Sequence, residues 1–262
     1  MQGTKTYRRL LPLTVLLVLS LGRPCPAAVA TERHSYQEVS ANSSRTFEWI
    51  LHREVPLRLV TEQPGERTAT RLDEKGRTLA WRRSNVAEKT KVRVRRRGDV
   101  LLLEGTLDGQ PVDRRIAIDG APWYQAMSLS LRPFVLGGGN VARFWTLRPD
   151  TLEAYLIEAR KLGKEHLRIA DRQWRAEKIE VRLAGWRSLF WSARYWFEAE
   201  QGVFLRYEGP SGPPGSPVTV VTLVEPSVEM PEDKSAAVAA SKTATAVPET
   251  AAPEKTGMVR QN

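Results

Sequence analysis

The residue types that most often carry out chemistry are sparse in this sequence. Its single cysteine, Cys25, lies near the N-terminus, and no Gly-x-Ser-x-Gly elbow offers a serine nucleophile. The three histidines, His34, His52 and His166, are scattered among charged residues, so we expect all three on the surface. None belongs to the closely spaced pair that a zinc site needs. We therefore predict that the protein is not an enzyme, with no catalytic residue, no metal site and no cofactor.

Paired carboxylates are the one catalytic arrangement that the sequence leaves open. Acid–base hydrolysis of a glycan needs two of them, and the candidates are Glu153 with Glu158 and Glu177 with Glu180. Glu158 and Glu180 each stand two residues from an arginine, Arg160 and Arg182, in segments that alternate like strands. This pattern favours charge pairing between neighbouring strands. A glycan-acting enzyme is therefore only the third hypothesis.

Aromatic and basic residues are the more informative groups. Eight tryptophans suggest a large core, an exposed pair that forms a sugar-binding platform, or an aromatic-lined cavity for an acyl chain. In the cavity hypothesis, the apolar lining residues are Trp123, Met127, Phe134, Trp145, Trp191 and Trp196. Arg93, Arg95 and Arg97 would then contact an anionic head group, provided that they lie at the rim of the sheet. Alternatively, these arginines belong to a solvated edge strand whose charge discourages pairing with another chain.

The N-terminus has the features of a secretory signal peptide. Lys5, Arg8 and Arg9 precede the apolar run from Leu10 to Leu21, and Ala28-Val29-Ala30 provides a small-residue cleavage site. The run is shorter than the roughly 20 residues of a spanning helix. We predict cleavage after Ala30, a periplasmic location and no integral membrane span after processing. Export makes nucleic acid an unexpected partner.

Composition supports one ordered domain followed by a tail. The chain has 262 residues, of which 41% are hydrophobic and 27% charged, which excludes wholesale disorder, collagen and polytopic membrane proteins. Residues 227–262 contain no aromatic residue and repeat Ala, Thr, Lys, Glu and Pro, so we predict a disordered tail. We assign 1–30 to the signal peptide and 31–226 to a single β-rich domain.

The formal charge is concentrated in that domain. The whole chain carries +10, the first 30 residues contribute +4, and residues 227–262 contribute −1. Residues 31–226 therefore carry 10 − 4 + 1 = +7. A moderately basic domain can attract anionic partners, so we expect a lipid or an anionic envelope polymer, while protein partners remain open.

Strand and turn signals follow each other about every ten residues between the signal peptide and the tail. This rhythm is typical of an antiparallel meander, and Asp108-Gly109 is a hairpin signal within it. The first predicted strand is Thr46–His52, and Glu153–Arg160 and Glu165–Ile169 are predicted as separate strands. In Lys91–Arg97 the odd positions are basic, which predicts a half-buried strand with a basic outer face. One amphipathic helix is predicted over Pro122–Leu136, ended by Gly137-Gly138-Gly139. The predicted fold class is mainly β: a large curved antiparallel sheet, a half-barrel or a barrel, with one short helix.

Several motifs in the second half of this domain resemble a known family. They are Trp123-Tyr124-Gln125, Phe144–Asp150, Ser188–Trp191 with Tyr195–Phe197, and Phe204–Gly209. The set is similar to an uncharacterised family of exported bacterial proteins of the domain-of-unknown-function type, loosely related to lipoprotein-carrier half-barrels. The resemblance covers Ala121–Val224 and implies a fold and a compartment, without a reaction.

Two non-enzymatic functions follow from these observations. The first is binding or carrying a lipidic or anionic component of the cell envelope in the curved sheet. The second is a structural or interaction protein of the envelope with no small ligand, in which an edge of the sheet is the working surface. Bound lipid would favour the first, and a filled core with a specific protein partner would favour the second.

Overall fold

A computed structural model describes residues 30–41, 43–186, 191–210 and 216–226. The predicted signal peptide, apart from Ala30, and the predicted tail lie outside these ranges. Within them, no helix is both long enough and apolar enough to cross a membrane.

Fourteen strands form one antiparallel sheet in the described part of the chain. They are β1 (Thr31–Ser40), β2 (Ser43–His52), β3 (Leu57–Gln63), β4 (Glu66–Leu72), β5 (Thr78–Asn85), β6 (Thr90–Arg97), β7 (Val100–Leu107), β8 (Gln110–Ala117), β9 (Val141–Leu147), β10 (Ala154–Ile169), β11 (Arg172–Leu183), β12 (Ser192–Glu198), β13 (Phe204–Pro210) and β14 (Val218–Pro226). The order across the sheet is β8 to β1 and then β14 to β9, so the first and last strands pair in the middle. The predicted mainly β fold class is confirmed: the sheet is curved and unclosed.

Local sequence accounts for most of the hairpins. Asp108 and Gly109 both have positive φ, 50° and 77°, which is the backbone that a tight two-residue hairpin requires. In β6, Val92 and Val94 are buried while Lys91 is exposed, as the alternation predicted. β6 therefore has a core-facing and a solvent-facing side.

Two parts of the sheet differ from the sequence-based expectation. β1 was missed because the residues that it buries include Thr31, Glu32 and His34, so its core-facing side shows no apolar alternation. The segments predicted as separate strands over 153–160 and 165–169 form the single strand β10. Its register shifts between Lys161 and Gly163, and this irregularity hides the continuous alternation.

The helical segment begins later than predicted. It consists of two short helices, α1 (Met127–Ser130) and α2 (Arg132–Leu136), and it ends at the glycines as predicted. Residues 122–126 are not helical, because the Trp123 carbonyl accepts a hydrogen bond from Thr78 N and Tyr124 N donates one to Trp145 O. Tertiary hydrogen bonds thus override the helical pattern in this segment.

The curvature creates a core with two clusters. The larger one unites β1–β4 and β9–β14 with the helices, through residues such as Trp49, Phe144 and Phe197. The smaller one lies against β5–β7, where Trp81 and Leu103 pack with Leu152 of the β9–β10 loop. The sheet therefore curls far enough for the segment after β9 to cover the inner side of β5–β7.

Candidate functional site: an inner cavity and a basic outer face

The inner side of the sheet contains a cavity of about 330 Å³ next to α1. Its apolar wall comprises Phe47, Trp49, Leu59, Trp81, Met127, Tyr195, Phe204, Tyr207 and Val221. Its polar wall comprises Thr61, Glu66, Thr68, Thr70, Arg83, Gln125 and Ser128. The volume is at the lower end of the roughly 300–1,000 Å³ typical of small-molecule pockets. A mainly apolar lining that includes several aromatic rings and several polar groups suits an amphipathic molecule.

A charge network holds the polar wall in position. Arg83, whose side chain is 8% exposed, donates from Nε to Glu66 Oε1 at 2.8 Å and contacts Glu88 Oε2 at 2.7 Å. Burial opposes protonation of Arg83, but the hydrogen bond and charge of Glu66, with those of Glu88, outweigh it and raise its pKa above the usual value. Gln63 Nε2 also donates to Glu66 Oε2 at 2.9 Å. Glu66 and Glu88 thus balance the positive charge of Arg83 in the absence of a ligand.

The apolar wall is built from contacting aromatic rings. The Tyr195 ring centroid lies 4.9 Å from that of Tyr207 and 6.0 Å from that of Phe204. Burial, with a smaller contribution from the charge of Glu38, raises the pKa of Tyr207 to about 12. Burial raises the pKa of Tyr195 well above its usual value as well. Both hydroxyls are therefore uncharged hydrogen-bonding groups at neutral pH.

A second cavity of about 200 Å³ adjoins the first. The two share Phe47, Thr61, Glu66 and Thr68, and the second extends to the ends of β1–β3. At these ends Arg45 Nη2 donates to Glu38 Oε1 at 2.8 Å, and Arg45 is half exposed. The cavity therefore continues towards solvent past a carboxylate–guanidinium pair.

Another buried charge cluster connects β1 to α2. Glu32 accepts hydrogen bonds from Arg132 Nη2 at 2.8 Å and from Arg53 Nη2 at 2.6 Å, and its Oε1 lies 2.9 Å from His34 Nε2. Burial alone would raise the pKa of Glu32, but the bonds from His34 and Arg132 hold it well below its usual range. The predicted surface position of His34 is wrong: this residue is 6% exposed, because its ring packs 5.3 Å from Trp49.

The structure distributes the predicted apolar ligand residues over separate environments. Met127 lies on the cavity wall, where its Sδ is 3.7 Å from the Tyr195 hydroxyl. Trp123 is fully buried in the smaller core cluster, against which Trp145 packs. Trp145 also donates from Nε1 to Asp119 Oδ1 at 2.7 Å. These two tryptophans are structural parts of the seam between β5 and β9.

The remaining three apolar residues are also away from the cavity wall. Phe134 and Trp191 pack against the larger core cluster, and Lys161 Nζ lies 5.2 Å from the Phe134 ring centroid. Trp196 faces the opposite side of β12 from Tyr195 and donates from Nε1 to Glu165 Oε1 at 2.6 Å. Both sides of β12 are covered, and the side chain of Lys178 lies over the Trp196 ring.

The three predicted arginines lie on the outer side of β6, away from the cavity. Arg93 and Arg95 flank Val94, which is fully buried on the inner side. Arg97 is exposed at the end of the strand. β6 is the third strand from the β8 edge, so the alternative interpretation as an edge strand is wrong. The structure does not bring these arginines together with the predicted aromatic residues.

Sequence reasoning missed most of the residues that line the cavity. Phe47 and Trp49 alternate on β2, and Thr68 and Thr70 alternate on β4, which is a regular inward pattern. That period of two could have assigned them to one side of the sheet. It could not show that the inner space opposite them is left unfilled.

Two of the carboxylates considered for catalysis, Glu158 and Glu180, lie on strands opposite arginines. Glu153 precedes β10 and accepts a hydrogen bond from the Tyr155 hydroxyl, and Glu177 is buried on β11. Arg182 Nη2 donates to Glu158 Oε1 at 2.7 Å, and Arg160 is directly opposite Glu180 in the register. The hydrogen bond from Arg182 lowers the pKa of Glu158. Among the described residues, no group of three or more His, Cys, Asp and Glu side chains could hold a metal ion.

One likeness to a solved structure supports the fold class. A β-barrel-like protein of the domain of unknown function DUF1849 from Brucella abortus aligns with a TM-score of 0.50 at 8% identity, covering 76% of this chain and 97% of that one. A hypothetical lipoprotein, YmcC, from Escherichia coli (K12) aligns with a TM-score of 0.39 at 15% identity, covering 76% and 85%. Neither a protein-family model nor a curated protein sequence matches this chain. At 8% identity the first likeness supports the fold class alone.

Proposed function

We propose that this chain is an exported, periplasmic, non-enzymatic protein that binds an amphipathic lipid in the inner cavity. The single observation that carries the proposal is the 330 Å³ space whose lining combines aromatic rings with hydroxyl and amide groups. A concave space with a mainly apolar lining and a few polar groups is the usual form of a small-molecule site. Such a lining can accommodate both the apolar chain and the polar end of one ligand.

The electrostatics of the polar wall favour a ligand whose polar end is uncharged. Arg83, the cation on this wall, already contacts Glu66 and Glu88, so it has little charge left for an anion. Arg45 at the outer end is similarly paired with Glu38. Thr68, Thr70 and the Tyr207 hydroxyl instead offer neutral hydrogen bonds. This changes the expected ligand from an anionic amphiphile to one with a hydroxyl-bearing head group, such as a monoacylglycerol.

Native mass spectrometry of the full chain, followed by organic extraction and lipid analysis, tests the proposal. We expect a co-purified lipid in stoichiometric amount, or uptake of added monolaurin in preference to laurate. A mass without ligand and no uptake of either probe would overturn the proposal. The protein would then be treated as a packed envelope scaffold, whose partners crosslinking would have to find.

A cavity-filling variant locates the binding. Thr68→Phe places a ring in the space that both cavities share, so uptake of monolaurin should be lost while the protein stays folded. Thr46→Phe is the matched control, because Thr46 is exposed on β2, two strands away from β4. Unchanged uptake by a folded Thr68→Phe variant would show that the lipid binds somewhere other than this cavity.

A further inference from the structure

The outer side of β3–β6 carries the largest concentration of unbalanced charge in the described chain. We call the outward positions of these four strands the basic outer face. Its cations are Arg58, Arg67, Arg71, Arg82, Lys91, Arg93, Arg95 and Arg97, and its acid is Glu62. The net charge is 8 − 1 = +7. Residues 31–226 hold 32 cations and 25 acids, so the rest of this range has 24 of each and is neutral.

The register of the strands brings like charges face to face. Arg58 is directly opposite Arg71, and Arg82 is directly opposite Arg93. Like charges in opposed positions destabilise a sheet. Protection of an edge does not explain them, because β3–β6 lie inside the sheet, where every strand already has two neighbours. Folding therefore gives no reason for this concentration of arginine.

Few of these cations have a partner within the protein. Glu104 lies 3.6 Å from Arg93 and 3.4 Å from Arg95, and Glu62 lies 2.7 Å from Arg67. Among the described residues, no carboxylate lies within 4.0 Å of the charged nitrogens of the remaining five: Arg58, Arg71, Arg82, Lys91 and Arg97. A depression of about 530 Å³ lies between several of these side chains, including Arg58, Arg82 and Arg93. It gives an anionic group access to more than one guanidinium.

The shape of the array indicates a partner that extends in two dimensions. Strands are about 4.8 Å apart and alternate residues of a strand about 6.7 Å apart, so the cations cover roughly 14 by 20 Å. The outward positions of β3–β6 have no aromatic side chain that could stack on a nucleic-acid base. A layer of phosphate head groups satisfies both conditions, since it needs many cations and no stacking platform.

We propose that the basic outer face binds this protein to the surface of an anionic lipid bilayer. Binding is peripheral and electrostatic, and it leaves the inner cavity on the other side of the sheet. It is independent of the proposed cavity ligand, so either proposal can fail while the other holds. Each cation near an anionic membrane surface contributes roughly a fivefold gain in partitioning, and salt screens the attraction.

Vesicle co-sedimentation of the full chain tests the proposal. Vesicles of phosphatidylcholine with phosphatidylglycerol are compared with vesicles of phosphatidylcholine alone, and the difference between them is the measurement. This difference cancels any contribution of the apolar N-terminal run that does not depend on lipid charge. We expect tighter binding to the anionic vesicles, falling steeply as the salt concentration rises. Equal binding to both vesicle types would overturn the proposal.

Two sets of substitutions assign the binding to this face. The triple variant Arg58→Gln, Arg71→Gln, Arg82→Gln should lose on the order of a hundredfold in binding to the anionic vesicles. The control Lys75→Gln, Lys164→Gln, Arg168→Gln removes the same charge from exposed positions elsewhere and should lose much less. Equal losses in the two variants would show that only net charge matters and would overturn the assignment.

The lysine version of the triple variant should retain binding, because a membrane surface responds to charge more than to the shape of the cation. Competition with single-stranded DNA separates the two classes of anionic partner. If the DNA binds the outer face more tightly than anionic vesicles do, and the triple glutamine substitution abolishes that binding, the membrane proposal is wrong. In that case the face would be a nucleic-acid surface.

Discussion

Arg82 and Arg83 are neighbours on β5, yet they point to opposite sides of the sheet and meet opposite conditions. Arg83 faces inwards, is largely buried, and contacts two carboxylates at 2.7–2.8 Å. Arg82 faces outwards, is exposed, and lies directly opposite another arginine, Arg93. On the inner side, the buried charges of Arg83 and Glu32 are each paired with groups of opposite charge. The outer side concentrates charge that the fold does not need.

This contrast extends beyond β5. On the inner side, Glu32 at the far end of the core is held by two arginines and a histidine, so the compensation is repeated in a second cluster. Compensation is required there because an unpaired charge in the interior is costly. On the outer side water solvates each arginine, and repulsion costs only a little. Burial therefore explains why Arg83 and Glu32 are paired, and the excess of cations on the outer side calls for a partner.

The largest expected effect belongs to the inner clusters. Arg132→Ala leaves the buried Glu32 without its two bonds from this arginine, and breaking such a pair costs about 3–5 kcal/mol. Urea denaturation should show this loss in the free energy of unfolding. Arg53→Ala is the control, since Arg53 bonds to the same carboxylate from a half-exposed position and should cost about 1 kcal/mol or less. Equal losses of unfolding free energy in Arg132→Ala and Arg53→Ala would mean that burial of the arginine does not determine how much its ion pair contributes to stability.

The same cluster predicts a dependence on pH. Because the pKa of Glu32 is lowered in the folded state, the unfolded state takes up the proton first as the pH falls. The contribution of Glu32 to stability is complete above about pH 4.5 and decreases below it, since an unperturbed glutamate titrates near 4.3. The difference in unfolding free energy between the wild type and Arg132→Ala should therefore shrink below that pH. A difference that stays constant from neutral pH to pH 3 would contradict this account.

A smaller loss is expected at the cavity wall. Arg83→Met removes the cation between Glu66 and Glu88 and should cost about 2–3 kcal/mol, less than for a fully buried pair because Glu88 is 44% exposed. Arg82→Met, one residue away on the outer side, should change the unfolding free energy by less than about 0.5 kcal/mol. Equal losses of unfolding free energy in Arg83→Met and Arg82→Met, measured by thermal or urea denaturation, would contradict the distinction between the inner and outer sides of the sheet.

The smallest expected change in unfolding free energy is a gain in stability. Arg82→Glu replaces a repulsive cross-strand pair with an attractive one opposite Arg93, so it should stabilise the protein by about 0.2–1 kcal/mol. The gain should decrease at high salt because both groups are exposed. The same variant should bind anionic vesicles more weakly, so that stability and binding change in opposite directions. A loss of stability at low salt would show that the like-charge pair is not a cost to the fold.

Individual elements show how far sequence reasoning could go. The alternation in β6 correctly predicted its basic outer side, because the side chains of a strand point alternately to its two faces. It failed for β1, whose buried positions include Glu32 and His34, because a polar residue looks the same in a sequence whether it is exposed or paired inside. It also failed at Trp123, where hydrogen bonds to β5 and β9 replace the first turn of the predicted helix. The periodicity of apolar residues in the sequence reports the local backbone geometry, and it does not report tertiary contacts.

The sequence by itself determined the mainly β class, most of the strands, the helix end at Gly137 and the outward direction of Arg93 and Arg95. These depend on turn residues and on a period of two, which are local properties. Only the tertiary structure decided that β1 pairs with β14, that Met127 alone of the predicted apolar set lines the cavity, and that Arg58 and Arg71 are opposed. Such facts depend on register and curvature, which bring together residues that are far apart in the chain.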